Sequence, residues 1–202
     1  MSVTFNPAAT TAIDLDELES GSIEGISPRW GGALAEAAIV CFEQQSHLPG
    51  VSKRIEGACS QQVAVNWNPS GDVPQRWRAW GDPDEATEHG AYAIATLLVT
   101  GLTDHTVIER ARKGKGFDYW LARKDSGPLF QRAARLEASG LRSSDTSGIS
   151  SRVSRKRKQI SVSDDLKLPG LWRSSSLVNR ARGWNRSERR RKTPSDRYEP
   201  RG

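Results

Sequence analysis

Two acidic residues stand in the most strand-like stretches of this chain: Asp118 in GFDYWLAR (116–123) and Glu137 in ARLEASGL (134–141). Alternate side chains of an extended strand share a face, so Asp118 goes with Trp120, and Phe117, Tyr119 and Leu121 oppose it. In the same way Arg135, Glu137 and Ser139 line one side of their strand, and Ala134, Leu136 and Ala138 the other. Pairing through the connection KDSGP (124–128) sets the two carboxylates side by side, which is costly unless a cation or a proton offsets their repulsion. A divalent ion supplies that charge. Mg²⁺ (or Mn²⁺) takes oxygen ligands, keeps several waters and is commonly held by one or two carboxylates beside a phosphate. Such an ion activates water and stabilises the charge that builds on phosphate during hydrolysis. The bland alternative is a pair of acids on the solvated face of a half-covered sheet, with Glu137 matched by Arg135 or a cross-strand arginine.

Positioning those acids requires a framework, and the pattern around them predicts one. Asp82 followed by Pro83 reads as a helix N-cap with proline at the first position, opening a helix over 83–100 that stops at Gly101. Its buried stripe is Thr87, Ala91, Ile94, Ala95 and Leu98, with Glu88 at the margin of that stripe and Glu85 further out. HTVIERAR (105–112), FDYWLAR (117–123) and LFQRAARLEASGL (129–141) follow as three successive antiparallel strands, the first two joined by the turn KGKG (113–116). Lys113 and Lys115 of that turn can also meet phosphates, although the spacing of a Walker loop is missing. Upstream, GGALAEAAIVCFEQQSH (31–47) has Leu34, Ala37, Ala38, Cys41 and Phe42 at helical spacing. VSKRIEGA and QQVAVNW then alternate like the arms of a hairpin, and NPSGD (68–72) is turn chemistry. Downstream, Ser150–Ser163 fits a basic helix with Val153 and Ile160 on its apolar side.

In this order the elements resemble the PD-(D/E)xK nuclease superfamily. Its restriction-endonuclease-like α+β core is a helix, three antiparallel strands and a helix, followed by a further strand, with an acid on the second strand and Glu-x-Lys on the third. The resemblance covers about residues 82–165. It implies that Asp118 and Glu137 are catalytic and bind Mg²⁺, with Glu88 of the first helix completing the metal site. Ser139 stands where the family has its third-strand lysine, so the resemblance passes that role to Lys156 of the basic helix, or to Lys124. Lys158 and Gln159 would then contact the nucleic acid together with Lys113 and Lys115. The implied activity is hydrolysis of nucleic-acid phosphodiesters, DNA ahead of RNA, with a homodimer compatible. The alternative is an inactive nucleic-acid-binding or protein-interaction module on the same scaffold.

Composition bounds these expectations. The formal charge of the 202 residues is +6, but residues 1–151 hold 14 Lys+Arg against 19 Asp+Glu (−5) and residues 152–202 hold 16 against 5 (+11). An acidic body with a basic tail is expected. Cys41 and Cys59 are too few for a disulfide framework or a metal clamp, and His47, His89 and His105 lack partners at zinc spacing. No secretory pattern opens the chain and its longest apolar run, near 91–99, is short for a membrane span; a cytoplasmic protein without a membrane partner is expected. Residues 1–28 read as a flexible arm, 29–170 as a single domain and 171–202 as a disordered basic tail. The family pattern wants one more apolar strand where that tail begins. Reverse translation from the third base of the Leu171 codon allows Ala, two Val/Ile/Leu/Phe residues, Glu and Phe-Gly-Gln-Pro. The tail is therefore expected to be a frameshift product, and its RRRK cluster (189–192) to say little about function.

Overall fold

Small residues at helical spacing allow two helices to pack closely, and both contribute to one apolar core. The structure, a computed structural model, describes residues 11–57, 61–127, 131–141 and 170–176. Helix α1 (Pro28–Glu43) begins at Ser27, whose hydroxyl accepts from the Trp30 N–H, and it buries the expected Leu34, Ala37, Ala38, Cys41 and Phe42. Helix α3 (Pro83–Leu102) begins at Asp82, whose carboxylate accepts from the N–H groups of Asp84 and Glu85. All five residues of its expected stripe are buried. A Cβ on Gly90 of α3 would come within 3.0 Å of the Ala38 Cα, so the glycine sets how closely the two helices cross. Gly101 does not stop α3: the helix runs on to Leu102 and ends at Thr103, whose N–H and hydroxyl both bond the Val99 carbonyl. Between the two lies a short helix missing from the sequence reading, α2 (Val73–Ala79), capped by Asp72.

The strands are β1 (Thr11–Asp14), β2 (Val51–Gly57), β3 (Gln61–Asn66), β4 (His105–Arg110), β5 (Tyr119–Arg123), β6 (Ala134–Leu141) and β7 (Gly170–Ser176). They form a seven-stranded mixed sheet in the order β1-β3-β2-β7-β6-β5-β4. The chain is thus a mixed α+β structure. β2–β3 is the expected antiparallel hairpin, and β4, β5 and β6 are the expected antiparallel meander. The core faces of β5 and β6 carry Tyr119, Leu121, Ala134, Leu136 and Ala138, packed in one apolar cluster with α1 and α3.

Two regions depart from the sequence reading. The supposed N-terminal arm is folded from residue 11 onward: β1 pairs in parallel with β3, and Leu15, Leu18, Ile23 and Ile26 are buried. Their spacing follows neither a helical nor a strand period over the segment, so local pattern did not reveal them; a 3-10 turn (Leu15–Glu19) places Leu15 and Leu18, and the loop after it places Ile23 and Ile26. The second departure is β7. Residues 171–176 are not unstructured, because GLWRSSS runs parallel to β6 and antiparallel to β2 in the middle of the sheet. A strand between two neighbours satisfies its backbone N–H and C=O groups on both sides whatever its side chains are, and this ladder offsets the poor apolar content. The basic helix expected at Ser150–Ser163 lies outside the described residues. No helix among the described residues is long and apolar enough to cross a membrane.

Candidate functional site

β5 pairs with β6 through Tyr119↔Leu136, Trp120↔Arg135 and Leu121↔Ala134. One position further the register breaks, because the Asp118 N–H donates to the Leu136 carbonyl at 2.8 Å although Leu136 is already the partner of Tyr119. The expected alternation fails with it: Asp118 reaches Tyr92 of α3, which also packs on Tyr119, and Phe117 packs on Trp120, so Asp118 does not share the Trp120 face against Phe117 and Tyr119. The ladder ends there. Just where regular pairing stops, the Asp118 Oδ2 accepts from the Ala138 N–H at 2.8 Å. The side chain therefore serves as the acceptor that the departing β5 backbone no longer provides, which gives Asp118 a structural duty besides any chemistry.

The other oxygen of Asp118 faces α3. The Tyr92 hydroxyl reaches Asp118 Oδ1 at 3.0 Å and Glu88 Oε1 at 2.5 Å, so one phenolic proton is shared between two carboxylates. Burial, the charges of Asp118 and Glu88 and these hydrogen bonds together push the Tyr92 phenol far above its usual value, keeping it a neutral donor. Tyr92 is held edge-on between the rings of His89 and Tyr119. The approach of α3 to β6 depends on Gly140, where a Cβ would lie 2.6 Å from the Thr87 carbonyl oxygen. Glu88 follows Thr87, so this contact seats the glutamate over the strand ends.

Glu88, Tyr92, Asp118 and Glu137 line one cavity of about 710 Å³, together with Arg110, Arg112, Lys113 and Phe117. Glu137 is 3% exposed. The cavity has an acidic floor and a basic rim, and the rim belongs to the turn after β4, where Gly114 and Gly116 take φ of +89° and +77°. Among the described residues no group of three or more His, Cys, Asp or Glu side chains is gathered tightly enough to hold a metal ion. The donor set nonetheless suits a hard cation, because two or three carboxylates border one water-accessible space and Mg²⁺ needs only one or two besides its waters.

Of the residues singled out from sequence, Asp118, Glu137, Glu88 and Lys113 meet at this cavity. Lys115 lines a neighbouring hollow with Glu109, Arg112, Trp120 and Arg132. Lys124 is elsewhere: its ammonium bonds the Thr100 carbonyl at the end of α3, at the opposite end of β5 from Asp118. Lys156, Lys158 and Gln159 lie outside the described residues. Trp120 packs in the structure, with Phe117 edge-on to it and the Arg132 guanidinium 4.5 Å from its ring centre. Sequence reasoning missed Tyr92, although a phenol four residues after Glu88 lies on the same helix face and was open to the spacing rule. It also missed Arg110, the last residue of β4, and Arg112 of the turn that follows, both of which line the cavity.

No protein family, curated protein or solved structure matches this chain in comparisons of sequence and fold.

Proposed function

We propose that the chain is a Mg²⁺-dependent hydrolase of nucleic-acid phosphodiesters with a restriction-endonuclease-like core. The observation that carries this reading is that Asp118 and Glu137 line one cavity with Glu88, where β5 and β6 part, and that the same cavity has a cationic rim. The run α3, β4, β5 and β6, with β7 as a later strand of the same sheet, supports it, because a helix, three antiparallel strands and a further strand are among the elements that the family resemblance implies. Asp118 and Glu137 would hold the ion, with Glu88 close by through the shared Tyr92 proton. When bound, Mg²⁺ would supply an activated water and neutralise charge on the phosphate. The chain's own contribution is to fix the two carboxylates: Asp118 through Tyr92 and Ala138, and Glu137 through burial in β6. Lys113 and Lys115 would contact the nucleic-acid backbone from the turn, with Lys158 and Gln159 added from the segment after β6.

In the reaction water adds to phosphorus, the bond to the departing sugar oxygen breaks, and a phosphomonoester and an alcohol result. The test is cleavage of labelled single- and double-stranded DNA and RNA by the full chain, with Mg²⁺ or EDTA, against Asp118→Asn and Glu137→Gln. Metal-dependent cleavage lost in both variants supports the reading; equal behaviour of all three proteins ends it.

Ser139 in place of a lysine, and an Asp118 whose two oxygens already accept from Tyr92 and Ala138, favour a second reading. In it the scaffold binds nucleic acid with a steep salt dependence and cuts nothing.

A further inference from the structure

An anionic phosphodiester entering a cavity floored by Asp118, Glu137 and Glu88 needs a fixed positive charge aimed at its own oxygens, because the negative charge they carry must be balanced against those carboxylates in the transition state. Ser139 supplies none, and Lys124 is committed to Thr100 at the far end of β5. The described cations lining the cavity are Arg110, Arg112 and Lys113. Arg110, Arg112 and Lys113 are all exposed, and Arg112 and Lys113 stand on the glycine-containing turn. Arg110 differs in its backing. It is the last residue of β4, and its backbone pairs with Tyr119, the neighbour of Asp118. Its guanidinium carbon lies 5.1 Å from the Trp30 ring centre. Trp30 is itself anchored, since its Nε1–H donates to the Tyr119 hydroxyl at 3.2 Å and its ring meets His89 edge-on. A guanidinium with one face on an indole keeps its rim of N–H donors for a partner in the plane, and that fork matches two phosphate oxygens.

We infer that Arg110 is a catalytic residue of this site, donating to the non-bridging oxygens of the scissile phosphodiester, and that Trp30 is its positioning residue. The inference rests on the phosphodiester-hydrolase reading above. In the step it serves, the water oxygen bonds to phosphorus as the bond to the leaving oxygen breaks; the water's proton passes to solvent, and the leaving oxygen takes one from solvent. Arg110 stays protonated throughout and nothing is oxidised or reduced.

The experiment measures kcat and KM for the best-cleaved oligonucleotide with full-length wild type, Arg110→Ala, Arg110→Gln, Trp30→Leu, Lys156→Ala and Asp118→Asn, with the unfolding midpoint of each recorded. Arg110→Gln keeps an aliphatic stem over Trp30 and decides the matter should Arg110→Ala fail to fold. Loss of about 10²–10³-fold in kcat is expected for both Arg110 variants, with KM and Mg²⁺ dependence little changed. Added guanidinium ion should partly restore Arg110→Ala and leave Asp118→Asn inactive, a rescue that a purely structural role would not produce. Trp30→Leu should lower kcat less than Arg110→Gln does. Wild-type kcat in folded Arg110→Gln, or a loss carried by Lys156→Ala instead, overturns the inference and leaves the hydrolase reading standing. Wild type no more active than Asp118→Asn on every substrate overturns both.

Discussion

The two ends of β5 both carry acids, in contrasting company. Beyond its C-terminal end, Arg123 bridges Asp104 at 3.2 Å and Asp125 at 2.9 Å, and Asp104 also meets the His105 ring at 2.6 Å. The Asp104 and Asp125 side chains are 41% and 69% exposed, each with a full positive partner and water to share the rest. At the N-terminal end Asp118 accepts from the Tyr92 hydroxyl and the Ala138 N–H, and Glu88 takes part in the same phenolic bond. Those donors orient the oxygens without adding a full positive charge. The first arrangement is an exposed ion-pair network of the kind that contributes little. The second brings Asp118, Glu88 and the buried Glu137 to one cavity, where a bound cation is screened less than it would be in water. Similar residue types at the two ends of one strand therefore answer to different physics.

The sharpest way to break this comparison is Asp118→Asn. An amide oxygen can still accept from Ala138, so the fold should hold while cleavage drops about 10²–10³-fold; Asp104→Asn at the other end should leave cleavage unchanged. A cleavage assay paired with denaturant unfolding separates these outcomes. Next in size is Gly140→Ala. Its Cβ meets the Thr87 backbone, so about 1–3 kcal/mol of stability should be lost in urea titration, and cleavage should fall as Glu88 is displaced.

Tyr92→Phe removes the proton shared by Glu88 and Asp118. In EDTA it should cost about 0.5–1.5 kcal/mol. Mg²⁺ should then raise the unfolding midpoint more in the variant than in wild type, because the like-charged pair has lost the phenolic proton it shared; an equal shift argues against a shared ion. The same residue predicts a pH effect. Its folded-state value is raised above the ordinary 10.0, so its contribution is complete below pH 10 and is lost as pH climbs beyond it. Urea unfolding in EDTA across that range should show a falling stability in wild type and a shallower fall in Tyr92→Phe. The smallest effect is expected from Arg123→Ala, with no change in cleavage and no resolvable shift in midpoint at physiological salt; a clear shift would show that the exposed end matters more than its exposure implies.

Much of the site's framework was legible because it is written in short periods. Period two in YWLA and RLEAS gives the faces of β5 and β6, and their antiparallel pairing follows. The period fails at Phe117 and Asp118, where the chain leaves the ladder, Phe117 packs on Trp120 and Asp118 turns to Tyr92. The Asp82–Pro83 start and the Thr87–Leu98 stripe fix where α3 begins and which side it buries. Tyr92 was within reach of the same reasoning, at i+4 from Glu88. Arg110 was not: its value comes from Trp30, eighty positions earlier, and no local spacing rule links the two. The N-terminal segment failed for another reason, since Leu15, Leu18, Ile23 and Ile26 are buried from a turn and a loop, where apolar residues follow the contour of the core rather than a period.

Sequence by itself determined the alternation within β5 and β6, the caps and stripes of α1 and α3, and the antiparallel pairing of those two strands, because each depends on residues close to one another along the chain. Tertiary structure alone decided that GLWRSSS enters the sheet between β2 and β6, that one phenol ties Glu88 to Asp118, and that Trp30 braces Arg110. Periodicity records which face of an element is buried and is silent about the neighbour that buries it. That choice is made only when distant segments close on one another and their backbone donors, carbonyls and charges must all be satisfied together.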